Sequence, residues 1–101
     1  MPIQAELTES GQLLTIKVSG RFDFSSHQAF REAYERAGLS PRSYCIDLHE
    51  TDYIDSSALG MLLLLRDHAG GDVADIRIQH ASPEVRKVLS ISNFEQLFRI
   101  E

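Results

Sequence analysis

The stretch "TDYIDSSALGMLLLL", residues 51–65, sets an acid and two hydroxyls directly in front of the most apolar run in the chain. Asp55, Ser56 and Ser57 are residue types that cap a helix, accept a phosphoryl group or, beside a base, act as a nucleophile. Asp55 is a strong N-cap type, and the amides of Ser57 and Ala58 would point toward its carboxylate, which starts a helix at about Ser56. A serine in the first turn of such a helix sits at the positive end of the macrodipole, where an added phosphate is received by backbone N–H groups. Ser56 could therefore be phosphorylated without unfolding the helix. Gly60 lies one turn further along on the same face and costs about 1 kcal/mol of helix propensity relative to alanine, so a neighbouring strand or a partner protein is expected to approach closely there. The same residues also fit a purely structural reading, in which Asp55 caps, the serines are ordinary first-turn residues and Gly60 permits close internal packing. Sequence physics does not choose between the two.

Other chemistries fit poorly. A serine hydrolase would need Ser56 activated by His27, His49, His68 or His80, and no G-x-S-x-G elbow is present, although helix amides could form an oxyanion hole. No His/Asp/Glu pair recurs at the spacing of an H-E-x-x-H metal motif, and Cys45 is the only cysteine, which excludes an internal disulfide or a cysteine-based zinc site. "AGGD" reads as a turn and not as a phosphate loop. The chain is thus expected to have no catalytic residue, no metal and no cofactor. Its net charge of -5 and scattered basic residues argue against nucleic acid. Residues 58–65, the longest apolar run, span less than half of the ~20 residues a membrane helix needs, and the N-terminus has no signal-peptide pattern. A soluble protein of a reducing cytoplasm is the expectation.

The elements that would position the Asp55 turn follow from periodicity. With 101 residues, 43% of them apolar, the chain suits one domain over residues 1–101. Residues 3–8 and 12–19 alternate (Ile3, Ala5, Leu7; Leu14, Ile16, Val18) around "ESGQ" and predict a hairpin. In "SSHQAFREAYERAG", Ser25 with Gln28 resembles a capping box, Ala29, Phe30, Ala33, Tyr34 and Ala37 recur at helical spacing, and Gly38 stops the helix. Arg31, Glu32, Glu35 and Arg36 form its solvated face. Residues 43–48 place Tyr44, Ile46 and Leu48 on one side of a central strand. The all-round apolar Met61–Leu65 run predicts a helix with most of its circumference buried, ended by "HAGGD". "VADIRIQH" is a strand that includes Val73, "SPEVRKVLS" is a helix capped by Ser82 with Pro83 at its first position and Val85, Val88 and Leu89 inward, and "FEQLFRIE" closes as an edge strand. The order β-β-α-β-α-β-α-β makes an α/β fold, a mixed sheet with helices mainly on one face.

The blocks "VSGRFDF", "IDLHETDYIDSSALGMLLLL" and "SPEVRKVLSISNFEQLFRI", which cover nearly the whole chain, resemble the STAS domains, and within them the small bacterial anti-sigma factor antagonists. The D-S-S-x-L-G core after a strand is the most specific part. The resemblance implies the STAS fold and a phosphosite at Ser56, with Asp23 of "GRFDF" as the acidic loop residue beside it and Asp23, Asp55, Ser56, Ser57, Ala58 and Gly60 as the partner-binding region. It implies a binder and substrate, not an enzyme. The free form would capture an anti-sigma factor that is also a serine kinase, phosphorylation would release it, and a PP2C-type phosphatase would reset the switch. The alternative is an accessory STAS subunit of a transporter or signalling scaffold that is not phosphorylated. A nucleotide-binding STAS module has no phosphate loop to support it. Two departures stand out: Ala58 replaces a frequent glycine and would add a methyl group near the recognition tip, and the chain reaches only Glu101 where many relatives continue into a final helix, which predicts a less covered sheet face. The resemblance extends to antagonists of proteobacterial pathways that govern motility and biofilm decisions.

Overall fold

The computed structural model describes residues 2–36 and 41–101. The predicted hairpin is present: β1 (Ile3–Leu7) and β2 (Leu13–Val18) pair antiparallel, Ile3 opposite Val18 and Leu7 opposite Leu14. Of the strands that follow β3 (Gly20–Phe22), β4 (Ser43–Asp47) runs parallel to β2 and to β6 (Ile76–Gln79), and the short β7 (Arg99–Ile100) closes the far edge parallel to β6. The main sheet has the order β1-β2-β4-β6-β7, with β4 in the centre as the sequence predicts.

Strand alternation gives this sheet one apolar and one polar face. Leu14, Ile16 and Val18 of β2, Tyr44 and Ile46 of β4, and Ile76 and Ile78 of β6 are in register and buried. The three helices, α1 (His27–Glu35), α2 (Ser56–His68) and α3 (Pro83–Ile91), add Phe30, Tyr34, Leu62, Leu65, Val85 and Leu89 to the same core. The opposite face carries the exposed Lys17, Arg77 and Arg99, with Cys45 buried among them and donating its thiol to Gln79 at 3.2 Å. Burial raises the Cys45 thiol pKa, which keeps it a protonated donor.

A second sheet escapes sequence reading. β3 and β5 (Thr51–Ile54) are short strands that pair parallel with each other only, Phe22 opposite Ile54. Gly20, at φ +78°, turns the chain out of β2, and its N–H reaches the Glu50 carbonyl at 2.9 Å. The buried Thr51 hydroxyl donates to the Val18 carbonyl at 2.6 Å and fixes β5 to the end of β2.

Four local expectations are corrected. Ser25 does not cap α1: Asp23 caps a 3-10 turn over Phe24–Ser26 that leads into α1, and Ser26 stands at the helix start without a side-chain cap. Ala37 and Gly38 lie outside the described residues. Val73 is an exposed member of a 3-10 turn (Gly71–Val73), because Gly70 at φ +119° bends the chain before β6 begins. In the tail, Phe94–Gln96 form a 3-10 turn and only Arg99 and Ile100 pair. In α2, Leu63 and Leu64 are 39% and 50% exposed, so two of the five residues of the Met61–Leu65 run face outward. The Ser82 cap of α3, accepting the Val85 amide at 3.2 Å behind Pro83, is as predicted, and Arg31–Glu35 and Arg36–Glu32 pair on the solvated face of α1.

Candidate functional site

Because β3 and β5 are parallel and end on the Phe22–Ile54 pair, the next residue of each strand, Asp23 and Asp55, emerges side by side. Each then turns its chain into a helical segment with a side-chain cap, Asp23 through the amide two residues on and Asp55 through the amide three residues on. Asp23 accepts the Ser25 amide at 3.0 Å and the Ser25 hydroxyl. Asp55 accepts the Ala58 amide at 3.1 Å and the Ser57 hydroxyl at 2.6 Å. The two sequences, "DFSS" and "DSSA", are two copies of one local solution: an extended aspartate cap, a free residue, a serine bonded back to the cap, and a buried third residue, Ser26 or Ala58.

These bonds set the charge state of the pair. The Ser57 hydroxyl, then the Ala58 amide, hold the Asp55 carboxyl below its ordinary value, while the negative charge of Asp23 pushes it the other way. The Ser25 hydroxyl and amide do the same for Asp23, with a smaller contribution from Arg21. Both groups are anionic at neutral pH. Arg21 Nε lies 3.3 Å from Asp23 Oδ2, and its guanidinium sits 4.0 Å above the Tyr53 ring, the residue paired with it across the strands.

The serines of the central motif separate cleanly. Ser57 is half-buried and its hydroxyl is committed to Asp55. Ser56 is exposed, and among the described residues its hydroxyl has no hydrogen-bond partner. It stands at the N-terminus of a thirteen-residue helix whose Ala58 amide is already taken by the cap.

Two of the predicted partner-binding residues change meaning. Ala58 is 0% exposed and belongs to the core, so its methyl group is not on the surface of the helix tip. Helix phase explains this: Ala58 lies three and four residues before Met61 and Leu62, on the inward face. A Cβ on Gly60 would meet nothing within 4 Å, which removes the expected close approach of a strand of this chain. Gly60 instead continues an outward stripe that starts at Ser56 and runs through Leu63 and Leu64 to Asp67. Sequence reading missed this stripe, together with Arg21, Tyr53 and the 74% exposed Phe24. The signals were present in the repeated "DFSS"/"DSSA" pattern and in the spacing of Ser56, Gly60, Leu63 and Leu64. His27 stacks on Phe24, His68 packs on Tyr34, and His80 bonds to Asp47 at 3.0 Å and meets the His49 ring edge-on with centroids 6.0 Å apart. Among the described residues no cluster able to hold a metal ion is found, and no helix is long and apolar enough to cross a membrane.

The family model described as "Mlab, STAS domain" matches residues 5–99. A STAS-domain containing protein of Pseudomonas aeruginosa is 62% identical over 100 residues, which is 99% of each chain. Among solved structures, the anti-sigma factor antagonist SpoIIAA in its unphosphorylated form superposes with a TM-score of 0.82 at 19% identity, covering 98% of this chain and 87% of that one. A sulfate transporter family protein from Wolinella succinogenes superposes with a TM-score of 0.72 at 12% identity, covering 91% of this chain and 84% of that one.

Proposed function

The chain belongs to the STAS domain family, and on that premise we propose that it is an anti-sigma factor antagonist of a bacterial partner-switching pathway, a cytoplasmic binding protein and phosphorylation substrate and not an enzyme. The unphosphorylated form binds an anti-sigma factor that is also a serine kinase and so frees the sigma factor. Phosphorylation of Ser56 breaks the complex, and a PP2C-type phosphatase restores it. One observation carries this reading: of the two motif serines, Ser56 alone presents an exposed, unbonded hydroxyl, and it does so at the head of an outward apolar stripe on α2. The likeness to an antagonist solved in its unphosphorylated form is consistent with it.

The stripe supplies the contact surface and Ser56 the switch. Gly60 leaves room for a partner to approach the helix backbone, and Leu63 and Leu64 offer apolar area beyond it. A phosphoserine adds about -1.5 to -2 charges, next to the two carboxylates of Asp23 and Asp55. The free protein tolerates this because the helix N-terminus compensates by about 1 to 2 kcal/mol. A partner acid ~6 Å away, at an effective dielectric near 20, is repelled by roughly 3 kcal/mol per unit charge. A loss of two powers of ten in affinity needs only about 2.8 kcal/mol. Calorimetry of the anti-sigma partner against free and Ser56-phosphorylated protein tests the mechanism: equal affinities sink it. Co-purification with membrane transport subunits, unchanged in Ser56→Ala, would select the accessory-subunit role instead.

A further inference from the structure

The two edges of the main sheet are built differently. β7 presents only Arg99 and Ile100, and its shortness and charge blunt that edge. β1 is a five-residue strand, "IQAEL", free of proline and carrying Glu6 as its single charge, and among the described residues it has a strand neighbour on one side alone. Its ladder with β2 fixes which backbone groups remain free. Ser19 N–H donates to the Pro2 carbonyl at 2.8 Å and Thr8 N–H to the Leu13 carbonyl at 2.9 Å. By antiparallel alternation the hydrogen-bonded pairs between them are Gln4 with Lys17 and Glu6 with Thr15. Ile3, Ala5 and Leu7 therefore turn their N–H and C=O groups outward.

We propose that two copies of this chain associate through β1, antiparallel about Ala5, joining their main sheets into one continuous sheet. In that register every outward group is matched: Ala5 pairs with Ala5 of the second copy, and Ile3 with Leu7. The side chains agree with the backbone. Gln4 falls directly opposite Glu6 of the second copy, an amide against a carboxylate, and the two Glu6 side chains meet only as diagonal neighbours. On the other face, Ile3, Ala5 and Leu7 line a groove of about 420 Å³ with Ala29 and Ala33 of α1. The twofold axis brings a second α1 over this groove. With strands ~4.8 Å apart and α1 lying over β1 and β2, the two helices come to rest ~10 Å apart and antiparallel, at the upper end of ordinary helix packing. The Glu32–Arg36 ion pair of α1, which also lines the groove, brings charges of both signs to the helix–helix contact.

Sedimentation equilibrium over a concentration series tests the pairing. The expected result is a reversible dimer that Ala5→Pro weakens about tenfold or more, since that change removes the outward N–H at the axis and no hydrogen bond of the ladder with β2. Gln4→Glu, which sets a new carboxylate against Glu6 of the second copy twice over, weakens the dimer, and the double variant Gln4→Glu/Glu6→Lys restores it, while circular-dichroism melts at concentrations where every variant is monomeric show the fold intact. Wild-type protein that remains monomeric up to about 1 mM overturns the proposal. So does a dimer indifferent to Gln4→Glu, or one that the charge swap fails to rescue. Because Gln4→Glu leaves the backbone untouched, the test holds even if Ala5→Pro does not fold.

Discussion

Asp23 and Asp55 each cap the segment that follows, one step after paired positions of two parallel strands, yet only Asp55 begins a long helix with an outward apolar stripe. The difference lies in what each cap begins. Asp23 starts a three-residue 3-10 turn, in which too few peptide dipoles align to create a positive end. Asp55 starts thirteen residues of α-helix with an outward stripe below it. The residue left free by the cap differs as well: Phe24 behind Asp23, Ser56 behind Asp55. A cap motif by itself is a turn device. It becomes a candidate switch when a long helix supplies the field, an unbonded hydroxyl supplies the chemistry and a neighbouring carboxylate supplies the charge contrast.

The largest effect that tests this comparison is on binding. Ser56→Asp should weaken binding to the proposed anti-sigma partner about a hundredfold or more by calorimetry, and Ser25→Asp, in the exposed turn behind Asp23, by far less. Comparable losses for the two would mean that the caps are not functionally distinct. Next in size is the buried third position. Ala58→Leu should destabilise the fold by about 1 to 3 kcal/mol through overpacking, read as a midpoint shift in chemical denaturation, and any fraction that remains folded should bind normally. A stable Ala58→Leu variant that fails to bind would return this residue to the interface. A smaller effect separates the caps themselves: Asp55→Ala should lower the thermal midpoint more than Asp23→Ala, because the longer helix depends on it.

The pH dependence is smaller again. Both carboxyls titrate below the ordinary 3.8 in the folded protein. Their contribution is therefore complete above the unfolded pKa and is lost as pH falls through the folded values. Asp55→Asn, which keeps a neutral acceptor at the cap, should flatten that acid limb of the stability curve. The smallest expected change is electrostatic: Asp23→Asn should lower the Asp55 titration midpoint slightly further, followed by carboxyl-carbon NMR, since it removes the one nearby charge that raises it. An unmoved Asp55 would show that the two caps do not sense each other.

Local chemistry wrote much of this protein into its sequence. The Asp55 and Ser82 caps, the Gly70–Gly71 break, the β1–β2 hairpin and the central β4 all follow from rules that act within a few residues, and each is where those rules place it. The identity of Ser56 as the free serine was half legible: its position after the cap was readable, but the bond that withdraws the Ser57 hydroxyl was not. What only tertiary structure decided is non-local. Strands as short as β3 and β5 carry no periodicity of their own, and their pairing, which sets Asp23 beside Asp55, depends on contacts across roughly thirty residues of chain and on the Thr51 bond to Val18. The phase of α2 against the core put Ala58 inside and Leu63 and Leu64 outside, a choice that a run of apolar residues around the whole helix leaves open, because every face of it is equally ready to be buried.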